Sequence, residues 1–457
     1  MKQELILKSK KMKNKTKIGV VSLGCPKNRV DSEIMLGILG SDGYEIVADP
    51  RDANIIIVNT CAFIDDAKEE SIDTVLEMAQ YKEQNCRYII MTGCLAERYN
   101  TEIMAELPEV DAVVGTGDYH RIAEVIKSVE MGEKPVIYGH IDDEIPEGYP
   151  RMVSTGGVSA YLKIADGCDN KCTYCIIPKL RGKYRSRPMD DIIAEARELA
   201  DTGVREVILI AQDTTRYGYD ISGHEQLSEL LRELAKIENL HWIRVHYMYP
   251  ESITDSMIEV FAEEPKVVKY MDIPIQHINS NVLKRMGRKT TKEEIVALIK
   301  KLRKNIPDIT IRTTLIAGFP GETEAEFCEL LDFVEEAKFE KLGAFAYSVE
   351  EGTAAAKLPE QLDDEVKLAR QEAVMQIQAQ VSEEVQAARL GKIVEVLCEG
   401  YDEDNLMYFG RSQADSLDVD GTVYFAANDE VSVGEFVWVK ILDTDNYDCT
   451  GVQVEVN

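Results

Sequence analysis

The chain has 457 residues and ordinary apolar content, enough for two or three domains with sizeable cores. Its 82 acidic residues outnumber 52 basic ones, and the formal charge of -30 argues against a dedicated nucleic-acid binder while suiting simple solubility or a basic partner. No stretch approaches the length of a membrane span, and ten cysteines without a secretory signal point to a reducing cytoplasm, where thiols serve metals or chemistry.

Met1 to Lys17 carries seven Lys and one Glu around one short apolar run, Leu5-Ile6-Leu7, and reads as a solvated leader, not a signal peptide. A first domain is expected over residues 17–140. Ile18–Leu23, Ile55–Val58 and Tyr88–Met91 are short, rich in β-branched residues and end at turn signals, so each predicts a buried strand. Helical patterns separate them, around Ile34–Leu39 and Ala67–Ala79, and this alternation implies a parallel α/β sheet. Cys25, Cys61 and Cys94 each stand just past the end of one of these strands. In a parallel sheet those ends share one edge, where ligands characteristically bind. The plainer alternative is three unrelated small core residues. Gly24 and Gly93 permit tight turns there. Cys86 precedes its strand and is expected away from that edge, as a structural residue.

A second domain is expected over residues 154–388. Strands are predicted at Tyr161–Ala165, Val207–Ala211, Ile243–Val245, Tyr270–Ile275, Ile309–Ile316 and Leu342–Ala346. Amphipathic helices fall between most of them, such as Ile192–Ala200 and Ile295–Leu302, and the six repeats suggest a partial parallel barrel. Just after the first strand come Cys168, Cys172 and Cys175, spaced C-x3-C-x2-C. Three thiolates so close can all reach one cuboidal iron–sulfur cluster, leaving one of its irons open to a small molecule. Zinc is the rival metal, but no suitably spaced fourth Cys or His follows. Gln212, Asp213, His246, Gln276-His277 and Gly318-Phe-Pro-Gly-Glu322 also follow strands and should ring the same mouth. Each has a bland alternative as helix cap, turn glycine or structural histidine. The stretch Arg151–Arg187 holds eight Lys/Arg and two Asp. It reads either as a solvated strand edge or, through Arg185 or Arg187, as a means of offsetting an anionic cluster and orienting an acidic substrate side chain. Asp363–Leu390 predicts one long helix with a core stripe at Val374, Ile377, Val381, Val385 and Ala388.

The last domain is expected over residues 391–457. Ile393–Leu397, Leu406–Gly410, Thr422–Phe425, Glu435–Ile441 and Gly451–Val456 predict a five-stranded barrel of the oligonucleotide-binding type. From Lys392 to Asn457 there are fifteen Asp/Glu and three Lys/Arg, or 3 − 15 = −12. Phosphate binding depends on Lys and Arg, so this module should repel nucleic acid and suit a basic protein. Cys398 and Cys449 have no ligand spacing and read as core residues.

The cysteine spacing, with Tyr174 before the last Cys, resembles the radical S-adenosylmethionine (SAM) superfamily. Three further cysteines upstream resemble the methylthiotransferases of that superfamily, and the last module resembles their TRAM domain, including Gly410-Arg-Ser and Val419-Asp-Gly421. The words Ser22-Leu-Gly-Cys-Pro-Lys-Asn28 and Val30-Asp-Ser-Glu33 look most like the branch acting on a ribosomal protein. Arg29, often Leu in that branch, is the departure. The resemblance implies two 4Fe–4S clusters, one on Cys168, Cys172 and Cys175 and one on Cys25, Cys61 and Cys94, in pockets facing each other. It implies SAM bound near Tyr174, Gln212, Asp213 and Gly318, cleaved to a deoxyadenosyl radical. The expected product is β-methylthio-aspartate in small-subunit ribosomal protein twelve. An electron donor such as flavodoxin or ferredoxin is implied; the sulfur donor is left open. The chain is expected to be monomeric and cytoplasmic. The alternatives are a tRNA adenosine methylthiotransferase, sharing all six cysteines, and a non-catalytic electron-transfer or cluster-carrier protein.

Overall fold

The computed structural model describes residues 15–145 and 148–456, so most of the expected leader lies outside the described residues. The chain divides into two compact units. The first comprises residues up to Ala62 with Asp66–His140 and Tyr149–Met152; the second comprises Phe63–Asp65, Ile141–Gly148 and Val153–Asn457.

The first unit is a parallel sheet of six strands, β1 (Lys17–Ser22), β2 (Glu45–Ile46), β3 (Ile55–Thr60), β4 (Tyr88–Gly93), β5 (Ala112–Val114) and β6 (Val136–Ile137), in the order β2-β1-β3-β4-β5-β6. The three longest are those the apolar runs predict; the other three are too short to leave a periodic signal. All of β3 is buried, which explains its unbroken apolar run. Helices α1 (Pro26–Ser41), α2 (Asp65–Ala79), α3 (Cys94–Glu106) and α4 (Ile122–Glu130) connect the strands. Met35 and Leu39 of α1 and Val125 and Ile126 of α4 pack with Ile18, Ile55, Ile57 and Ile90 in one core. The segment Tyr149–Met152 returns to α1, where Arg151 pairs with Glu33 and Met152 N donates to Glu33 O.

In the second unit, β7 (Ser159–Lys163) is followed by a two-stranded ribbon of β8 (Ala165–Asp166) and β9 (Arg185–Ser186). Then come β10 (Glu206–Ile210), β11 (Trp242–Val245), β12 (Val267–Asp272), β13 (Thr310–Ala317) and β14 (Lys341–Ala346). The six long strands pair in chain order and all in parallel, β7 to β14, as a partial barrel requires. Alternate residues divide the two faces. Ala160, Leu162, Val207, Leu209, Ile243 and Val245 pack outward on the helices, with Ile192, Leu199 and Leu230. Tyr161, Glu206, Arg244 and Tyr270 occupy the other face.

Five antiparallel-rich strands, β15 (Ile393–Asp402), β16 (Met407–Ser412), β17 (Val423–Ala426), β18 (Phe436–Thr444) and β19 (Cys449–Gln453), close a small barrel in the order β15-β16-β17-β19-β18. Its segment from Arg411, at the end of β16, to Asp420 fills the inner face of the larger sheet. Arg411 donates to Glu206, His246 bonds Ser416 at 2.7 Å, and Tyr161 and Tyr270 donate to Asp418 and Asp420. Lys341 and Arg389 both pair with the buried Asp415.

The long helix spans Asp364–Ala387, but its buried stripe is Lys367, Arg370, Val374, Gln378, Val381, Ser382 and Gln386. The expected Ala388 is exposed and Ile377 and Val385 are half-buried. Polar residues replace them because each finds a partner: Arg370 reaches Glu322, Gln378 the Phe339 carbonyl, Ser382 the Asn446 carbonyl and Gln386 the Tyr447 carbonyl.

Candidate active site

At the carboxyl edge of the first sheet, Ser22 is level with Asn59, Asn59 with Thr92 and Thr60 with Gly93. Cys25, Cys61 and Cys94 follow these positions and share that edge. Cys25 caps α1, with Pro26 as its first residue, and Cys94 opens α3. Two helix N-termini therefore meet the edge, and their unpaired N–H groups favour anionic charge. The backbone passes so close that side chains have no room. A Cβ on Gly24, at φ +81, would lie 2.8 Å from Cys61 Cβ and 3.0 Å from its sulfur. One on Gly93, at φ +94, would lie 2.3 Å from Asn59 Oδ1.

A buried polar network fixes the edge. Asn28 Nδ2 donates to the carbonyls of Leu23 at 3.0 Å and Thr60 at 2.9 Å, and its Oδ1 faces Cys94 Sγ at 3.8 Å. Asn59 Nδ2 donates to Asn28 O and Ser32 Oγ, and Ser32 bonds Ser22. Cys61 N donates to Ser71 Oγ of α2 at 3.0 Å. Ser22 and Asn28 of one sequence word and Ser32 of the other thus meet at Asn59 in this network. Cys86 lies at the opposite end of β4, buried, with its sulfur on the Tyr88 carbonyl.

In the second unit the loop after β8 carries Cys168 and Cys172, both buried, and Cys175, half-buried. Thr173 N donates to Met286 O at 2.9 Å, Thr173 Oγ1 to Arg285 O, and Ala355 N to Thr173 O. Gly287, at φ +74, passes so close that a Cβ would be 2.6 Å from Lys171 O. Burial pushes the Cys168 thiol up to about 11 and Cys175 up to about 12, so a cation must be present before these sulfurs ionise together. Among the described residues, no three His, Cys, Asp or Glu side chains converge as a single metal ion requires. A cuboidal cluster asks for another arrangement, since each thiolate bonds its own iron and the sulfurs surround the group.

The other expected residues fall around this loop. Gln212 Nε2 donates to Asp166 Oδ1 at 2.9 Å, while its amide oxygen is buried without a partner. Asp213 is fully buried and accepts from Asn170 of the cysteine loop at 2.9 Å and from Thr215; burial raises its carboxyl. Tyr174 packs against Val282, Met286 and Phe319. Gly318, at φ +74, turns against Lys367, where a Cβ would lie 2.7 Å from Cγ, and its N–H donates to Glu322. His277 accepts from Asn279 N on Nδ1, and burial takes its ring down to about 3, so it stays neutral. His246 is tied to the terminal module through Ser416.

The basic stretch is tied into the fold around the cysteine loop. Arg187 donates to Lys163 O and Glu195, and Arg185 Nη1 donates to the carbonyls of Ile141, Arg181 and Lys183. Both hold the backbone around the loop, and Arg185 Nε is buried without a partner. Lys163 and Arg181 converge on Asp166. Burial alone would raise the Asp166 carboxyl, but Arg181, Lys163 and Arg185 hold it well below the usual range.

Sequence reasoning missed Arg288 and Tyr249. The Tyr249 hydroxyl is 3.9 Å from Cys172 Sγ, and the Arg288 guanidinium lies over the Tyr249 ring. Neither belongs to a motif; the signal was only Gly287 beside an arginine.

Comparison with known proteins agrees with this architecture. Residues 162–334 match the Radical SAM superfamily, 17–115 the family described as Uncharacterized protein family UPF0004, and 390–454 the TRAM domain. The chain is 53% identical over 436 residues to "Ribosomal protein uS12 methylthiotransferase RimO" of Clostridioides difficile, covering 95% of this chain and 98% of the relative. It is 51% identical over 441 residues to the protein of the same name from Clostridium acetobutylicum, covering 96% and 98%. Among solved structures, the radical SAM methyltransferase TsrM from Kitasatospora setae superposes with a TM-score of 0.54 at 14% identity, over 73% of this chain and 77% of that one. The cobalamin-dependent radical enzyme OxsB superposes at 0.53 and 11% identity, over 79% and 56%; both show likeness of fold. At about half identity over nearly its whole length, the chain belongs to the RimO family of methylthiotransferases.

Proposed function

We propose that this chain is an enzyme that adds a methylthio group to the β-carbon of an aspartate in ribosomal protein uS12, using SAM and two 4Fe–4S clusters. The observation that carries this reading is the near-full-length likeness to relatives named for that activity. The geometry supports it: two separate cysteine triads, each beyond the carboxyl ends of its own parallel sheet. Residues 17–140 form the methylthiotransferase domain, 154–388 the radical SAM barrel and 391–457 the TRAM domain.

When bound, these groups supply a hydrogen-abstracting radical and a carrier for the sulfur. The protein's part is to hold and orient. Cys168, Cys172 and Cys175 hold one cluster and Cys25, Cys61 and Cys94 the other. Asp213 acts through Asn170, fixing the cysteine loop. The unpartnered Gln212 oxygen suits an N–H of the SAM amine. Gly318 and Gly321, both at positive φ, keep the backbone open for the adenosine. Tyr174 anchors the loop by packing. The acidic terminal module favours a basic protein over tRNA. A flavodoxin or ferredoxin would supply electrons to a monomer in the cytoplasm; no helix among the described residues is long and apolar enough to cross a membrane.

Mass spectrometry of ribosomal proteins and tRNA, from cells with and without this gene, tests the reading. The expected outcome is a methylthio mass on uS12 that vanishes with the gene. A methylthio mass lost from tRNA instead would overturn it.

A further inference from the structure

One buried charge beside the cysteine loop has no part in the roles assigned so far. Arg288 follows the turn at Gly287 that is clamped against Lys171 and Thr173, and its side chain is 1% exposed. Nη2 donates to the Pro274 carbonyl at 3.0 Å, and the same nitrogen stands 3.8 Å from the Glu251 carboxylate. The guanidinium carbon lies 4.3 Å from the centroid of the Tyr249 ring, whose hydroxyl is 3.9 Å from Cys172 Sγ. Nε and Nη1 are buried without any hydrogen-bond partner. Such groups are costly to leave dry, and a guanidinium does not escape the cost by losing its proton. Besides Glu251, the link between this charge and the cysteine loop is Tyr249, whose ring the guanidinium faces and whose hydroxyl stands beside Cys172 Sγ. Glu251 balances part of this buried charge; thiolates on an iron–sulfur cube would add to that balance, because the assembly is net anionic and gains a further negative charge on reduction.

We propose that Arg288 is the counter-charge of the cluster held by Cys168, Cys172 and Cys175, and that it eases that cluster's one-electron reduction. The inference rests on the reading that this triad holds a cluster. A cation in a dry site stabilises the more negative state, so the electron from a low-potential donor enters a cluster of higher potential. No bond forms or breaks in this step. Arg288 is a positioning residue, acting through charge and not on the substrate.

The test uses the full chain with Cys25, Cys61 and Cys94 all changed to Ala, reconstituted anaerobically so that one cluster remains. Iron content and a redox titration followed by electron paramagnetic resonance are read for this parent and for R288K, R288Q and E251Q in it. The expected result for R288Q is at least a tenfold fall in the equilibrium constant for reduction, about 59 mV for one electron. R288K should stay near the parent, and E251Q, which removes an opposing charge, should shift the potential upward. Parent-like potential in an iron-loaded R288Q, or a downward shift in E251Q, would overturn the inference. If R288Q fails to retain iron, E251Q alone decides by the sign of its shift. A parent that binds no iron overturns the cluster reading itself.

Discussion

A single hydrogen atom on Gly24 separates a working edge from a blocked one. Its positive φ, and the 3.0 Å that would separate a Cβ there from Cys61 Sγ, leave no space for a methyl group. Gly24→Ala should therefore strain the turn by about 1–2 kcal/mol and displace Cys61. Iron content of the reconstituted protein should fall from about eight to about four per chain, with the other triad still loaded. The cysteines themselves were legible because strand ends in a parallel sheet share an edge, so three positions far apart in sequence could be placed together. Arg185 and Arg187 were not. A run of alternating Lys and Arg says nothing about whether its charges face a ligand or the chain's own carbonyls, and here Ile141, Lys163 and Glu195 take them. Arg288 was invisible for the opposite reason: an isolated arginine after a turn carries no pattern, and its burial comes from chain far away.

At the scale of elements, the parallel strands were plain because β-branched apolar runs between helical patterns have few other readings. The long helix Asp364–Ala387 was plain as a helix and wrong in its stripe. Periodicity assumes that apolar residues face inward, yet Lys367, Arg370, Gln378 and Gln386 do so, each meeting a carboxylate, a ring or a backbone carbonyl. Such satisfaction depends on partners that sequence does not place. Arg370 is the strongest case, donating to both the carbonyl and the carboxylate of Glu322, whose side chain is wholly buried and in turn accepts from Gly318 and Phe319. Burial pushes the Glu322 carboxyl up, so its charge relies on that arginine and those N–H groups. Arg370→Leu should cost roughly 3 kcal/mol of stability by denaturant titration. It should also loosen the Gly318 loop, raising the Kd for SAM in equilibrium binding.

For the whole molecule, the count of −12 over the terminal module overstates its outward charge. Asp415 is buried between Lys341 and Arg389, and Asp418 and Asp420 accept from tyrosines of the larger sheet. The large sheet in turn leaves Glu206 and Arg244 on its inner face, where a sequence-based reading would look for apolar residues. Arg244 and Arg411 both pair with Glu206. Burial alone would raise that carboxyl, but Arg411 and Arg244 overcome it and hold it at about 2. A carboxyl depressed from its ordinary 4.5 contributes stability above that pH and loses it as pH falls toward 2. Acid unfolding should therefore steepen across that window, and Glu206→Gln should reduce the slope by about one proton in pH-dependent denaturation. The same variant should be less stable at neutral pH, because both arginines lose the buried carboxylate they share.

The segment from Arg411 to Asp420 also imposes an order on synthesis. The six large strands leave the ribosome by residue 346, but the arginine and aspartates that neutralise their inner face arrive more than sixty residues later. Until then Glu206 and Arg244 stay wet and the sheet keeps an open floor. The nascent chain thus holds the inner face of its barrel uncovered until the last module is made.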